Sequence, residues 1–320
     1  MSRCRIGFVG AGGVAARHAT VLAALPVAEV LAVTDLDAAR RDAFAADHGL
    51  RAAFDVAALL ELGLDAVYVC VPPFAHGDLE LQLAAAGVAV FVEKPVAIDV
   101  PTAERVAAAL AGTVTGVGLH WRHSAAVARA RELLDGRPAR LVSAAWLDKV
   151  PPVPWWAVRA RSGGQVVEQA VHVLDVARVL VGEVSQVAAL GDGAPPDVPG
   201  ADVDSATVAA LRFETGAVGT LAATSRLGWK QRAGLELVAD GLVLSVAEDG
   251  LEARTADGVE HLPVDIAEAK AAVDRAFVQA VLGDPSGVLV DYGEALRTHR
   301  VACAIARSAA EGGTAVDPRG

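Results

Sequence analysis

Two stretches of the chain combine residue types that suit proton chemistry. Glu168 and His172 stand four residues apart in a segment of helical periodicity, residues 163–180. That spacing predicts both side chains on one helix face, with the carboxylate orienting the imidazole as a proton relay. The second stretch ends in Lys94. The chain has four lysines, Lys94, Lys149, Lys230 and Lys270, among 28 basic residues, and Lys94 follows the apolar run 88–92. An ammonium group at an apolar strand end either snorkels to solvent or stands ready for chemistry. For His172 the corresponding alternative is a core histidine satisfied by a backbone carbonyl.

A third constellation lies near the N-terminus. In Gly10-Ala11-Gly12-Gly13-Val14-Ala15 an apolar run ends in glycines that open a helix. Bare backbone there lets a pyrophosphate approach and face the helix N-terminus. The next apolar run ends at Asp35, about 20 residues on, where a carboxylate can accept hydrogen bonds from the adenine ribose hydroxyls. Glycines that merely close a turn, with Asp35 capping the next helix, are the alternative; the two features together point to a dinucleotide. A carboxylate repels a 2′-phosphate and so favours NAD, with NADP the alternative because Arg40 and Arg41 are close by.

Other chemistries lack their residues. Cys4, Cys70 and Cys303 are far apart, and with His120-x-x-His123 they do not make a zinc-ligand pattern, so no metal is expected. Neither Tyr68 nor Tyr292 is followed four residues later by the Lys that a short-chain dehydrogenase needs.

Two further motifs narrow the reading. The runs Val69-Cys70-Val71-Pro72-Pro73-Phe74-Ala75-His76 and Val92-Glu93-Lys94-Pro95 are followed by Trp121-Arg122, Gly163-Gly164, Glu168-x-x-x-His172-x-x-Asp175 and Ala304-Ile305-Ala306-Arg307-Ser308. Over nearly its whole length the chain thus resembles the Gfo/Idh/MocA family, the glucose-fructose oxidoreductase and inositol dehydrogenase-like enzymes. The resemblance implies an NAD(P)-dependent oxidoreductase that moves a hydride between nicotinamide and a secondary hydroxyl or ketone of a sugar, cyclitol or related polyol. His172 would be the general base and Lys94 would stabilise the developing alkoxide.

The same resemblance puts Val71, Pro72, Pro73, His76, Glu93, Lys94, Trp121 and Arg122 near the cofactor. It puts Lys94, Arg122, Glu168 and His172 near the substrate, where the flat faces of Trp155 and Trp156 could stack on a sugar ring. Bland readings stand beside these. His76 would cap the following helix, Trp155 and Trp156 would pack in a subunit interface rather than stack on a sugar, and Trp121 and Arg122 would supply hinge packing and an ion pair. Asp175 would tether its helix and Arg178 would pair with a carboxylate. The family commonly has Asp where this chain has Glu168, one methylene longer, so Glu168 either orients His172 or contacts substrate itself. Two functional alternatives remain: a redox-neutral sugar-processing enzyme with tightly bound NAD, and a non-catalytic dinucleotide-sensing regulator, against which Lys94 and His172 both argue.

These residues need elements to hold them. Apolar runs at 5–9, 29–34, 66–71 and 88–92 alternate with helical stretches at 14–25, 38–47 and 79–86, the order of parallel βαβ units. From about residue 120 the texture changes. A helix (124–134), a strand (140–146), the helix 163–180 and a meander of strands over 187–263 with turns at Asp240-Gly241, Asp249-Gly250 and Asp257-Gly258 precede helices at 267–282 and 293–310. The expected fold is α/β: a Rossmann doubly wound parallel sheet over 1–119, then an α+β domain over 120–320 with a large open-faced, mainly antiparallel sheet. Its last helix could pack back on the first domain.

The resemblance implies that the open face pairs subunits into a homodimer or homotetramer, which the apolar segments at 206–211 and 217–224 would suit. At 320 residues, 53% hydrophobic and with a formal charge of −11, the chain suits small-molecule chemistry and no nucleic-acid or membrane partner. The unpaired cysteines and the lack of a separate leader suggest the cytoplasm.

Overall fold

The computed structural model describes residues 3–320. Its first elements are β1 (Cys4–Val9), α1 (Gly13–Ala23), β2 (Ala28–Thr34), α2 (Ala38–His48), β3 (Arg51–Ala52), α3 (Val56–Leu60), β4 (Ala66–Val69), α4 (Asp78–Ala85), β5 (Ala89–Val92), α5 (Val100–Ala109) and β6 (Thr115–Val117). The six strands form a sheet in the order β3-β2-β1-β4-β5-β6, and every neighbouring pair is parallel. The strand order reverses between β1 and β4, so both strand ends beside the glycine turn open at the topological switch point, where a doubly wound sheet binds its ligand. β4 and β5 are buried throughout, as strands covered by helices on both faces must be.

Local chemistry stops these helices where the sheet needs them. Asp37 caps α2, its carboxylate accepting from Arg40 N–H at 3.1 Å, and Gly49 closes the helix in the left-handed conformation at φ 67°.

The second set of elements is α6 (Ala125–Leu133), β7 (Leu141–Leu147), α7 (Arg159–Ser162), α8 (Gln165–Glu168), α9 (Val171–Val181), β8 (Val184–Gly191), β9 (Ala206–Phe213), β10 (Val218–Thr224), β11 (Arg232–Ala239), β12 (Leu242–Ala247), β13 (Gly250–Thr255), β14 (Gly258–Pro263), α10 (Ile266–Val281) and α11 (Tyr292–Ala310). Strands β7 to β14 form one sheet in the order β14-β13-β12-β11-β7-β10-β9-β8. All its pairings are antiparallel except that of β7 with β10, which is parallel. The simple meander is therefore interrupted at its centre: β7, from early in the chain, is inserted between β10 and β11. One face of the sheet packs on α6 and α9 in a core that includes Val142, Leu174, Leu235 and Leu244. On the other face Leu141, Leu190, Val208 and Val218 are exposed, and strand register puts Val218 beside Leu141 and Val208 beside Leu190.

Two compact units result. The first holds the residues up to Ala97, Pro101–His120 and Lys270–Ala295; the second holds Ile98–Val100, Trp121–Ala269 and Leu296–Gly320. Beside the division at 119/120, the larger part of α10, from Lys270, and the start of α11 group with the first unit, and Ile98–Val100 group with the second. The reason is apolar: Val273, Phe277 and Val278 of α10 join the core made by Tyr68 and Phe91. Among the described residues no helix is long and apolar enough to cross a membrane.

The helix expected over 163–180 is in fact two pieces, α8 and α9, set off from the preceding α7. Gly163 (φ 74°) ends α7 and Gly164 (φ 87°) starts α8, and a break at Gln169 and Ala170 separates α8 from α9. Glu168 and His172 therefore stand on different helical segments, and their spacing of four does not give the common helix face that an unbroken helix would.

Candidate active site

The glycine turn fits a dinucleotide. Gly10, at φ 97°, is needed for the close passage of two strand ends, since a Cβ there would lie 2.3 Å from the Cys70 carbonyl oxygen. Gly12 and Gly13 differ: a Cβ on either would meet nothing within 4 Å, so the turn is open above its backbone. Gly12 starts α1 without a side-chain cap and with no acidic residue in the first turn, which leaves the opening N–H groups of Gly13 and Val14 suited to an anion.

Asp35 sits at the end of β2 against this turn. Its Oδ2 accepts from Ala11 N–H at 2.8 Å and its Oδ1 from Asp37 N–H at 2.8 Å, and the Arg40 guanidinium is 4.0 Å away. The carboxylate is thereby held in one orientation by the very loop it serves.

Val71 and Pro72 lead from β4 into a short turn over Pro73–Ala75, after which His76 is fully buried. His76 Nδ1 lies 2.6 Å from Glu80 Oε1, while Glu80 Oε2 accepts from Gly77 N–H at 2.7 Å. The capping is thus done by Glu80, and His76 is fixed through it, with a buried Nε2 that has no hydrogen-bond partner among the described residues.

At the end of β5, Glu93 is buried and Lys94 half-buried, and the Lys94–Pro95 peptide is cis. Glu93 Oε1 faces His18 Nε2 at 2.9 Å and accepts from Arg17 at 3.1 Å, and its Oε2 accepts from Lys94 N–H at 3.0 Å. Burial alone would raise the Glu93 pKa; His18, Arg17 and Lys94 overcome this and hold it at about 2. Burial also pushes the Cys70 thiol well above its ordinary value, which favours the protonated form.

In the second unit His172 is 6% exposed, and its ring lies among two indoles. Centroid distances are 5.9 Å to Trp121 and 6.0 Å to Trp146, with planes 14° and 21° apart. Trp146 was not singled out by sequence, yet it is the neighbour of His172 on β7, and Lys230 Nζ lies 4.8 Å from its ring centroid. Arg122, beside Trp121, makes two 2.7 Å bonds to Asp175, one turn along α9 from His172. Asp175 also accepts from Thr298 at 2.8 Å, and Arg178 donates to Glu183 at 2.9 and 2.6 Å. Asp175 thus tethers α9, and Arg122 is committed to it.

The two tryptophans of the loop before α7 part company. Trp155 is half-buried, but Trp156 is fully buried against Ala157 and Val203, which leaves no ring face for a sugar. Its indole N–H instead donates to Glu168 Oε2 at 2.9 Å. The stacking expected of Trp156 is corrected accordingly: its polar edge serves the carboxylate while its faces fill a small core. The longer Glu168 side chain reaches that indole from α8.

Two sequence models settle the ancestry of these units. Residues 4–118 match the Gfo/Idh/MocA oxidoreductase family with its NAD-binding Rossmann fold, and residues 127–241 match the family's C-terminal domain. The chain belongs to the Gfo/Idh/MocA family. Myo-inositol 2-dehydrogenase of Thermotoga maritima is 30% identical over 241 residues, 71% of either chain. Inositol 2-dehydrogenase of Rhizobium meliloti is 33% identical over 187 residues, 56% of this chain and 55% of that protein, so this chain spans about half the length of that relative. The structure of a levoglucosan dehydrogenase in complex with NADH superposes with a TM-score of 0.90 over 99% of both chains at 21% identity, which establishes a shared fold. As a Gfo/Idh/MocA member the chain binds NAD on the unit that carries Gly10, Gly12 and Gly13.

Proposed function

We propose that this chain is an NAD-dependent dehydrogenase acting on a secondary hydroxyl of a sugar, cyclitol or related polyol, with Lys94 and His172 as the residues that handle its proton and charge. The observation that carries the reading is the setting of His172, a buried imidazole whose plane is fixed by Trp121 and Trp146 in a chain that also carries an NAD-binding turn. A ring held this way presents its nitrogen edge without losing torsional freedom when substrate arrives.

The backbone of Gly12, Gly13 and Val14 would hold the pyrophosphate, and Asp35 the adenine ribose, favouring NAD because its carboxylate repels a 2′-phosphate. NAD, when bound, supplies the hydride acceptor. His172 takes the hydroxyl proton as general base, and the Lys94 ammonium stabilises the oxyanion that develops. Glu168, anchored by Trp156, sets the electrostatics on the approach to α9, and Trp155 offers a ring face to the sugar. The exposed apolar row Leu141, Val218, Val208 and Leu190 supports a homodimer or homotetramer joined through the open sheet face.

A panel of polyols and sugars, with NAD or NADP and with reduced cofactor followed over time, tests the reading on wild type and Lys94→Ala. The expected result is steady NADH formation by wild type with at least one polyol and its loss in Lys94→Ala. Full turnover by the variant would overturn the role of Lys94, and consumption of sugar without NADH accumulation would favour redox-neutral chemistry. For assembly, light scattering at micromolar concentration should give at least a dimer mass, and a clean monomer would contradict it.

A further inference from the structure

We propose that His18 and Asp274 are positioning residues for Lys94, acting through Glu93 as a buried ionic clamp. The bearing of this clamp on turnover rests on the reading above, that Lys94 acts at the substrate hydroxyl.

The clamp is built from three elements of the first unit. His18, on α1, lies with Nε2 2.9 Å from Glu93 Oε1 and Nδ1 2.6 Å from Asp274 Oδ1. The His18 and Asp274 side chains are each 1% exposed and that of Glu93 8%. Carboxylates only accept hydrogen bonds, so an imidazole between two of them keeps both contacts only when both nitrogens carry protons. Burial favours the neutral ring, but the two acids outweigh it and raise the His18 pKa. Arg17 Nη2 lies 3.1 Å from Glu93 Oε1 and 3.1 Å from His18 Nε2, so the cluster sets two cations against two anions.

The carboxylate at its centre has nowhere else to go. A Cβ on Gly118 would come within 2.4 Å of Glu93 Oε1, so Glu93 lies flush against bare backbone at the end of β6. The His18 ring packs against the stacked pair of Tyr68 and Phe91, at centroid distances of 5.3 and 5.1 Å. From this fixed point Glu93 Oε2 takes the main-chain N–H of Lys94. The charged and titratable groups around His18 are Arg17 on α1, Tyr68 and Cys70 at β4, Glu93 and Lys94 at β5, and Asp274 on α10.

Stability alone is a weak reason for such a cluster, since apolar residues of similar size often do as well in a core. What an apolar substitute cannot do is hold the Lys94 backbone by a hydrogen bond and tie it to the helix that opens at the glycine turn. Helix α10 thereby reaches from the C-terminal part of the chain to the Glu-Lys-Pro motif.

The test reads Lys94 itself. The full chain is labelled with an amine-specific acylating reagent, and the rate at each lysine is followed by peptide mass spectrometry; Lys149 and Lys230 are internal controls, and Lys270, on α10, is left out. In Asp274→Asn, and in Arg17→Gln at the half-exposed side of the same carboxylate, the Lys94 rate should change by about threefold or more, the lower range for coupled neighbours, with both controls unchanged. A Lys94 rate equal to wild type in either folded variant would overturn the proposal. Wild type gives an independent reading by nitrogen NMR: one imidazole, absent from the His18→Gln spectrum, should remain doubly protonated above the ordinary histidine range, and its absence would equally overturn the clamp. The outcomes separate from those for function: a fully active Lys94→Ala removes the catalytic reading and leaves the labelling result standing, whereas an inactive Lys94→Ala beside normal Lys94 labelling removes the clamp alone.

Discussion

His18 and His172 are both buried, at 1% and 6% exposure, and they are fixed by different means. His18 is held at both nitrogens by carboxylates, whereas the His172 ring is set by two indoles whose planes lie 14° and 21° from its own. The first arrangement commits the proton; the second commits the plane. A histidine meant to exchange a proton with substrate belongs in the second setting, and one meant to hold a backbone in place belongs in the first.

Breaking each setting should have a distinct signature. The largest effect is expected for His18→Ala, which leaves Asp274 buried without its imidazole and Glu93 with Arg17 on one side, and should cost about 3–5 kcal/mol in urea unfolding. Trp146→Leu, which opens space beside His172 and removes the ring that Lys230 faces, should cost about 2–4 kcal/mol and lower turnover more than it weakens NADH binding, as fluorescence titration would record. Trp156→Phe keeps an aromatic ring of smaller size and removes the N–H that donates to Glu168, with an expected loss of about 1.5–3 kcal/mol by the same unfolding measurement.

The smallest effect concerns pH. The His18 pKa is raised above 6.5 in the folded state, so its contribution is complete below pH 6.5 and is lost as pH rises through the folded value. Glu93 is lowered from 4.5 to about 2, so its contribution is present above pH 4.5 and fades as pH falls toward 2. Calorimetry should therefore show a fall in Tm on the alkaline side in wild type that His18→Gln lacks. An identical alkaline slope in the two proteins would remove the contrast between the histidines.

How far these arrangements were legible depended on distance along the chain. The glycine turn, Asp35 and Lys94 lie at strand ends, where local spacing fixes what a residue can face, and the parallel unit followed from alternating apolar and helical runs. The helix carrying His172 reads as continuous in the sequence, because Gly163-Gly164 signals a break only where it stands and nothing in Gln169-Ala170 announces the second one. Trp156 carried no sign that its polar edge, rather than its face, would be used. The insertion of β7 between β10 and β11 joins distant segments and has no local signature. His18 and Asp274 are 256 residues apart, although an acid among Val273, Phe277 and Val278 on a buried helix stripe was a signal available to read.

The central claim is that Lys94 and His172 together act on a polyol hydroxyl. Its most direct test is the turnover of Lys94→Ala and His172→Ala on the best wild-type substrate, with NADH binding measured on the same samples. Each variant should lose about 10²–10⁴-fold in kcat while binding NADH as wild type does. Wild-type kcat in either variant would contradict the account.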